Sequence, residues 1–256
     1  ARFTDWQNEA RQGMATTALR TDPRFERDLS SDGKYVGVSI PDLAKSENQE
    51  LKKLVTDVGC DGGWCTRQEG HALNYGSGDA SLFLLVTNEG KKARPVAQIS
   101  VEARLPRTKN EYYIISEIAG KNNSHDFADN PALPAIQEYV QNLDSVYGGF
   151  EDVANLKKLG MMQIPKESPS KLMDLFNPTF KRMKLLGELY GGTQAEGLRK
   201  IADEAAKLNK GSYFVVGNED TVGELLQQAL QNLITSQSRA QGGFMERQSN
   251  DNRKYL

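Results

Sequence analysis

The middle of the sequence contains three short segments with strand-like patterns, and the short connections between them constrain the fold most. Residues 81–87 form an apolar run of strand length, and Asn88–Lys91 supply turn-forming residues directly after it. In residues 96–103 apolar and polar residues alternate, which predicts one face pointing inward and the other meeting water or a partner. Residues 111–118, rich in Tyr and Ile, form the third segment. Crossover helices do not fit between these segments, so we predict an antiparallel meander.

Around these segments the apolar spacing is mostly that of helices. Val36, Val38 and Ile40 alternate along one more strand, and a helix is predicted from Pro41 to Gly59. Further helices are predicted near residues 5–19, 132–146, 151–159, 169–176, 178–190, 193–208 and 219–236, with a short strand or buried connector at 213–216. The 193–208 helix begins with a capping box, Thr193 with Glu196. Glycine pairs at 148–149, 191–192 and 242–243 are predicted to end helices.

These patterns predict an α+β fold with a small antiparallel β-sheet in the first half, followed by a mostly helical second half. We divide the chain into four segments on this basis. They are an N-terminal arm (residues 1–33), an α+β domain containing the sheet (34–130), a helical region packed on it (131–236) and a polar C-terminal tail (237–256).

Charge and composition exclude several classes of protein. The 256 residues carry 32 basic and 34 acidic side chains, so the net charge of −2 gives no overall attraction to nucleic acid or anionic lipid. The longest apolar run, Leu82–Val86, is far shorter than the roughly 20 residues of a membrane span. The first residues lack the apolar core of a secretory signal. We therefore expect a soluble intracellular protein without a membrane partner. Because the chain begins with Ala1, we also expect a removed initiator Met or a processed piece of a longer protein.

The stretch from Cys60 to Cys65 is the most unusual part of the sequence, and three interpretations of it stay open. The thiolates of Cys60 and Cys65, with His71 and the distant His125, would make a zinc site, although the four-residue spacing between the cysteines lies at the edge of the usual range. The pattern favours the plainest interpretation, in which Trp64 and Cys65 are packed in the core. No metal or cofactor is predicted on this basis.

The third interpretation of the same stretch makes a cysteine the nucleophile of an enzyme. A nucleophilic cysteine needs a base within hydrogen-bonding reach. His71 or His125 would supply it, and Asp126 or Glu102 would orient that imidazole. The flanking residues match no cysteine-hydrolase signature, so no catalytic residue is predicted.

A polar loop and a group of basic residues are candidates for binding anions. The loop Gly120–His125 follows a strand, and its backbone amides and Lys121 would cradle an anion. The basic side chains near the predicted sheet, together with two tyrosines, would stack on and neutralise a single nucleic-acid strand. These residues are Arg94, Arg104, Arg107, Lys109, Lys121, Tyr112 and Tyr113. Solvated strand ends show the same pattern, and we favour that interpretation.

The order of motifs between residues 64 and 123 resembles a known family. The motifs are Trp64-Cys65-Thr66, then Tyr75 and Gly78, the apolar strand Leu82–Val86, a turn at Gly90-Lys91, the alternating strand Val96–Val101 and the segment Ile118–Asn123. In this order they resemble the PcfJ-like proteins of phages and conjugative elements. Those proteins carry a Trp-Cys-Thr motif, a following Tyr and Gly, a small hairpin and a Gly-Lys-x-Asn-like loop.

The resemblance implies a context rather than a reaction: a phage or mobile element, with a location in the virion or the host cytoplasm. The residues that match, and that would form a ligand-binding site, are Trp64, Cys65, Thr66, Tyr75, Lys121, Asn122 and Asn123. Our hypothesis is that the Trp-Cys-Thr loop and the Gly-Lys-Asn loop form a shared cleft.

From these observations we predict a phage or mobile-element assembly protein, an internal or capsid-associated virion component that acts through protein–protein contacts. Its partners would be other virion or assembly subunits, or further copies of itself in a homo-oligomer. Two alternatives stay open. One is a nucleic-acid-processing or nucleotide-binding enzyme, and the other is a DNA-binding accessory protein of transfer or packaging.

Overall fold

The structure is a computed structural model that describes residues 13–105, 111–151, 154–175 and 192–252, and the side chains of these residues up to Ser236. It divides into two compact units, residues 1–160 and residues 161–256. The predicted α+β fold is confirmed, with a five-stranded antiparallel sheet in the first half and mostly helices in the second. The four-segment division of the chain stays a prediction.

The first unit is built on a sheet whose strands follow one another in sequence order. The strands are β1 (Glu26–Leu29), β2 (Tyr35–Ser39), β3 (Ala80–Thr87), β4 (Pro95–Arg104) and β5 (Tyr112–Gly120). Every neighbouring pair is antiparallel, so the predicted meander is confirmed for β3, β4 and β5. Strand β1 was not predicted, because it lies at the sheet edge with all four side chains exposed and shows no alternation.

Helices cover both faces of this sheet. They are α1 (Met14–Thr21), α2 (Gln49–Gly62), α3 (Glu69–Gly76), α4 (Leu133–Tyr147) and α5 (Ala154–Lys158). Apolar residues of α2 share one core with one face of β2 and β3, and this core includes Val55, Val58, Val38 and Leu84. On the other face, the ring of Tyr139 from α4 packs edge-on against Phe83, at a centroid distance of 6.4 Å. The sheet is therefore the middle layer of three.

This coverage overturns one sequence prediction about β4. The polar residues Gln98 and Ser100 were expected to meet water or a partner, but their side chains are 0% and 1% exposed. The segment after α2 covers them: Thr66 donates to the Gln98 amide, and Ser100 donates to the backbone carbonyl of Tyr75. An alternating pattern reveals which residues share a face, but not what packs on that face.

Helix α2 differs from its prediction at both ends. It begins at Gln49 after a 3-10 turn, rather than near Pro41, and it passes Gly59 to end at Gly62. Cys60 is therefore on a helix. Gly63, at φ 66° in the left-handed region, caps the helix by donating to the Cys60 and Gly59 carbonyls. Helix α3, only eight residues long, was not predicted.

In the second unit, strands β6 (Met161–Gln163) and β7 (Phe214–Val216) pair, and helices α6 (Pro169–Leu175), α7 (Gln194–Leu208) and α8 (Glu219–Asn252) accompany them. The capping box is confirmed: the Thr193 hydroxyl accepts from the Glu196 amide, and the Glu196 carboxylate accepts from the Thr193 amide. The predicted helix 178–190 and the glycine pair 191–192 lie outside or at the limit of the described residues.

Two of the predicted glycine stops are tested by the described residues. Gly148 ends α4 in the left-handed conformation, at φ 73°, as predicted. The pair at 242–243 lies inside α8, so the prediction of a helix end there is wrong. No helix in the described part of the chain is long and apolar enough to cross a bilayer.

Candidate functional site

A hydrogen bond joins the two loops that the family resemblance singled out. Trp64 is fully buried in the core of the first unit, and its indole Nε1 donates to the carbonyl of Gly120 at 2.7 Å. Gly120 is the last residue of β5 and directly precedes Lys121. A buried indole N–H needs an acceptor, and this bond supplies it. The Trp-Cys-Thr segment is thereby held against the Gly-Lys-Asn segment.

A second close approach supports the same junction. A Cβ atom added to Gly63 would lie 2.8 Å from Asn122 Oδ1 and 3.0 Å from Asn122 Cα. Glycine is therefore required at position 63, both for this contact and for its positive φ. Asn122 and the following Asn123 also have positive φ, 58° and 57°, a conformation that asparagine tolerates better than most residues.

Beside this junction, a polar cluster surrounds the thiol of Cys65. The Gln98 side chain links two residues of the Trp-Cys-Thr motif: its Oε1 accepts from the Thr66 hydroxyl at 2.9 Å, and its Nε2 lies 3.6 Å from Cys65 Sγ. With Oε1 facing the Thr66 hydroxyl, the N–H group of the amide points at the sulfur. Cys65 is partly exposed, while Gln98 and Thr66 are buried.

Tyr75 completes the cluster on the side of β5. Burial, followed by the neighbouring Cys65 and Glu117, raises the pKa of Tyr75 to about 12. At neutral pH the hydroxyl is therefore protonated and able to donate to the sulfur. Sequence patterns brought Trp64, Cys65, Thr66 and Tyr75 to attention, and the structure places them together.

The histidines do not take the positions that the nucleophile interpretation required. His125 Nε2 lies 3.6 Å from Glu117 Oε1, and His125 Nδ1 is 3.0 Å from the Ile118 carbonyl. The carboxylate beside this imidazole is thus Glu117, not Asp126 or Glu102 as expected. Glu102 instead pairs with Arg104 at 2.9 Å. His71 stacks on Tyr75, with the ring centroids 6.3 Å apart.

The zinc interpretation finds no ligand set. Both cysteines and both histidines belong to the described residues, and among those residues no three His, Cys, Asp or Glu side chains are grouped so as to hold a metal ion. Cys60 is exposed on α2, whereas Cys65 faces Gln98 and Tyr75.

The basic residues near the sheet are not gathered on one surface. In the register of β4 and β5, Arg104 lies opposite Tyr112, whereas Arg94 and Lys121 adjoin the other ends of the same strands. The ten residues of β4 separate the two groups by about 30 Å. Arg107 and Lys109 lie outside the described residues. The described residues that were expected to form one face for single-stranded nucleic acid thus lie at two opposite ends of the sheet.

Sequence reasoning missed three residues of this region. Gln98 was placed on a solvent-facing surface, and Glu117 was noted only as part of a strand. Gly63 was not separated from its neighbour Gly62. Only Gln98 had a visible signal, as a long polar side chain between the apolar residues Ala97 and Ile99 near the middle of β4.

The sequence matches no protein-family profile, and no curated protein matches it significantly.

The pKa of Tyr75 gives a testable pH dependence. An unfolded tyrosine loses its proton near pH 10, whereas folded Tyr75 keeps it until about pH 12. Tyr75 therefore contributes stability that is fully present below pH 10 and is lost as the pH rises towards 12. We expect Tyr75→Phe to reduce the alkaline loss of stability, measured as the free energy of unfolding in urea between pH 9 and 12. Tyr112→Phe, at the far end of β5, is the matched control. Equal pH slopes in wild type and Tyr75→Phe would contradict the assignment.

Proposed function

We propose that the protein is an assembly component of a phage or mobile element, capsid-associated or internal to the virion, which acts through protein–protein contacts. The phage context is supported by the resemblance of residues 64–123 to PcfJ-like proteins. The contacts themselves are supported by one feature of the second unit, the length of helix α8.

Helix α8 is long, and its described contacts with the core of the second unit lie near its start. Its 34 residues correspond to about 51 Å. Val222, Leu226, Ala229 and Leu230 are buried in the core of the second unit, and Leu230 is the last fully buried residue of the helix among those whose side chains are described. The helix backbone continues for about 33 Å beyond Leu230.

A helix segment without tertiary packing is only marginally stable in water, because most helix stability in proteins comes from burial of an apolar face. Leu233 is partly buried against the core, and the next residue, Ile234, is 37% exposed. A partner subunit packed along α8 beyond Leu230 would bury the apolar side chains that stay partly exposed there, Leu233 and Ile234. The partner that we propose is a second copy of the chain.

The solution mass tests the proposal. Measured by light scattering after size exclusion, the full chain is expected to have a mass that is a multiple, twofold or higher, of 28.4 kDa. A chain ending at Ser236, and a full-length Leu233→Gln/Ile234→Gln variant, are expected to be monomeric. Leu208→Gln, which changes an exposed leucine at the end of α7, is the control and should keep the oligomeric mass. A monomeric full chain at the highest soluble concentration would overturn self-assembly through α8.

A further inference from the structure

A cleft with four charged residues in its lining opens at one end of the sheet in the first unit. Because neighbouring strands run antiparallel, this end collects the start of β2, the end of β3, the start of β4 and the end of β5. The cleft has a volume of about 530 Å³, within the range of small-molecule sites. It is lined by residues at the strand ends, including Tyr35, Arg94 and Lys121, and by residues of the loop before α4, including Asp126 and Asp129.

The four charged side chains of this cleft form no ion pair with another described residue. Arg94, Lys121, Asp126 and Asp129 all line it, yet none of them lies within 4 Å of an oppositely charged group among the described residues. Asp126 Oδ1 accepts the Ala128 amide at 3.1 Å, in a local turn. The cations on the strand side and the carboxylates on the loop side are thus available to a ligand that carries both an anionic end and hydrogen-bond donors.

The loop that carries the carboxylates is held in place by its own contacts with the rest of the first unit. Phe127 is fully buried and anchors the middle of the loop in the core. At its start, the Gly120 amide donates to the Ser124 carbonyl at 2.7 Å, and His125 Nδ1 contacts the Ile118 carbonyl. At its end, Asn130 Oδ1 accepts from the Ala132 amide at 2.9 Å. A site held in this way loses little conformational entropy on binding.

We propose that this cleft binds a phosphorylated ligand of mononucleotide size. Arg94 and Lys121 would hold the phosphate, since guanidinium and ammonium groups form charge-assisted hydrogen bonds with phosphate oxygens. Asp126 and Asp129 accept hydrogen bonds from ribose hydroxyls or from the N–H groups of a base. Tyr35, at the start of β2, supplies an aromatic surface in the same cleft. The proposal is independent of assembly through α8, because it concerns residues of the first unit alone.

The charges favour a mononucleotide over the alternatives. Inorganic phosphate would leave the carboxylates unused and would be repelled by them. A nucleic-acid strand presents a phosphate at every nucleotide, and the carboxylates of the loop would repel those that do not reach Arg94 and Lys121. A single phosphate at one end of a ligand, with neutral donors at the other, avoids both penalties.

Isothermal titration calorimetry of the full chain with AMP, GMP, CMP and UMP tests the proposal, with adenosine, inorganic phosphate and a ten-residue oligothymidylate as comparison probes. At least one mononucleotide is expected to bind, at least tenfold more tightly than phosphate or adenosine. Arg94→Ala/Lys121→Ala should weaken that binding at least tenfold, and Asp126→Asn/Asp129→Asn should reduce the preference for the nucleotide over phosphate. All four residues are exposed, so these variants are expected to fold, which circular dichroism checks.

The matched control is Lys91→Ala/Arg104→Ala, which removes the same charge from exposed positions outside the cleft and should change binding less than twofold. Equal weakening by the two double variants would show general charge attraction and overturn the proposal. It would also be overturned if no mononucleotide bound at millimolar concentration. Tighter binding of oligothymidylate than of any mononucleotide, lost in Arg94→Ala/Lys121→Ala, would replace it with a nucleic-acid site.

Discussion

Replacing Trp64 with alanine is expected to lower the free energy of unfolding of the first unit by about 3–5 kcal/mol. The indole ring is fully buried, and it packs beside Gly62, where an added Cβ would lie 2.6 Å from the ring. The substitution would leave a large cavity and would also remove the donor to the Gly120 carbonyl. Without the indole ring and its hydrogen bond, the Gly-Lys-Asn segment should be released from the core.

Trp64→Phe separates the two contributions. Phenylalanine keeps most of the buried area but removes the indole N–H, so it should cost about 1–3 kcal/mol through the unsatisfied carbonyl and the remaining cavity. Amide hydrogen exchange followed by mass spectrometry measures both variants without relying on tryptophan fluorescence. Amides of β4 and β5 should lose protection, while those of α7 in the second unit serve as the internal reference. Unchanged protection of β5 in Trp64→Ala would refute the structural role of this residue.

Gly37→Ala is expected to destabilise the first unit by about 3 kcal/mol or more, because a methyl group at this position would overlap the ring of Tyr139. Gly37 lies in the middle of β2, between Asp28 of β1 and Leu85 of β3 in the register of the sheet. Tyr139 is only 5% exposed, so its ring has little room to move. Chemical denaturation monitored by circular dichroism measures the change.

A double substitution tests the cause. Tyr139→Leu removes the ring atoms that the methyl group would meet, so Gly37→Ala should cost less in that background. We expect the sum of the free-energy changes of the two single variants to exceed the free-energy change of the double variant by about 1–3 kcal/mol. Val38→Ala, at the next position of β2 but on the opposite face, is the control. Its free-energy change should be additive with that of Tyr139→Leu. Simple additivity of Gly37→Ala and Tyr139→Leu would show that steric overlap is not the reason.

The parts of the fold that local patterns determine were predicted well. Strands β3, β4 and β5 follow from apolar runs separated by turn residues, and the start of α7 follows from the Thr193–Glu196 capping box. Strand β1 was missed because Glu26-Arg27-Asp28 is polar throughout and is held by its pairing with β2 rather than by burial. An edge strand of this kind carries no signal in its own residues.

The candidate site was only half predictable for a related reason. Trp64, Cys65, Thr66 and Tyr75 are close in sequence, so a motif could point to them together. Gln98 and Glu117 come from two separate strands, and their contacts with Cys65, Tyr75 and His125 depend on where the sheet carries them. Residues 40–79 cover the face of β4 that was predicted to be open, and no property of β4 alone could reveal this.

The position of α2 and α3 in the chain also affects how the sheet can form. Strands β3 and β4 are joined by residues 88–94, whereas β2 and β3 pair across the whole of residues 40–79. Closing the longer loop costs about 1.5 kcal/mol more chain entropy than closing the shorter one. The hairpin of β3 and β4 therefore loses less chain entropy when it nucleates, and β5 extends it through a short connection. The N-terminal pair of strands can join only after residues 40–79 have become compact, which gives the sheet a preferred direction of growth towards its N-terminal edge.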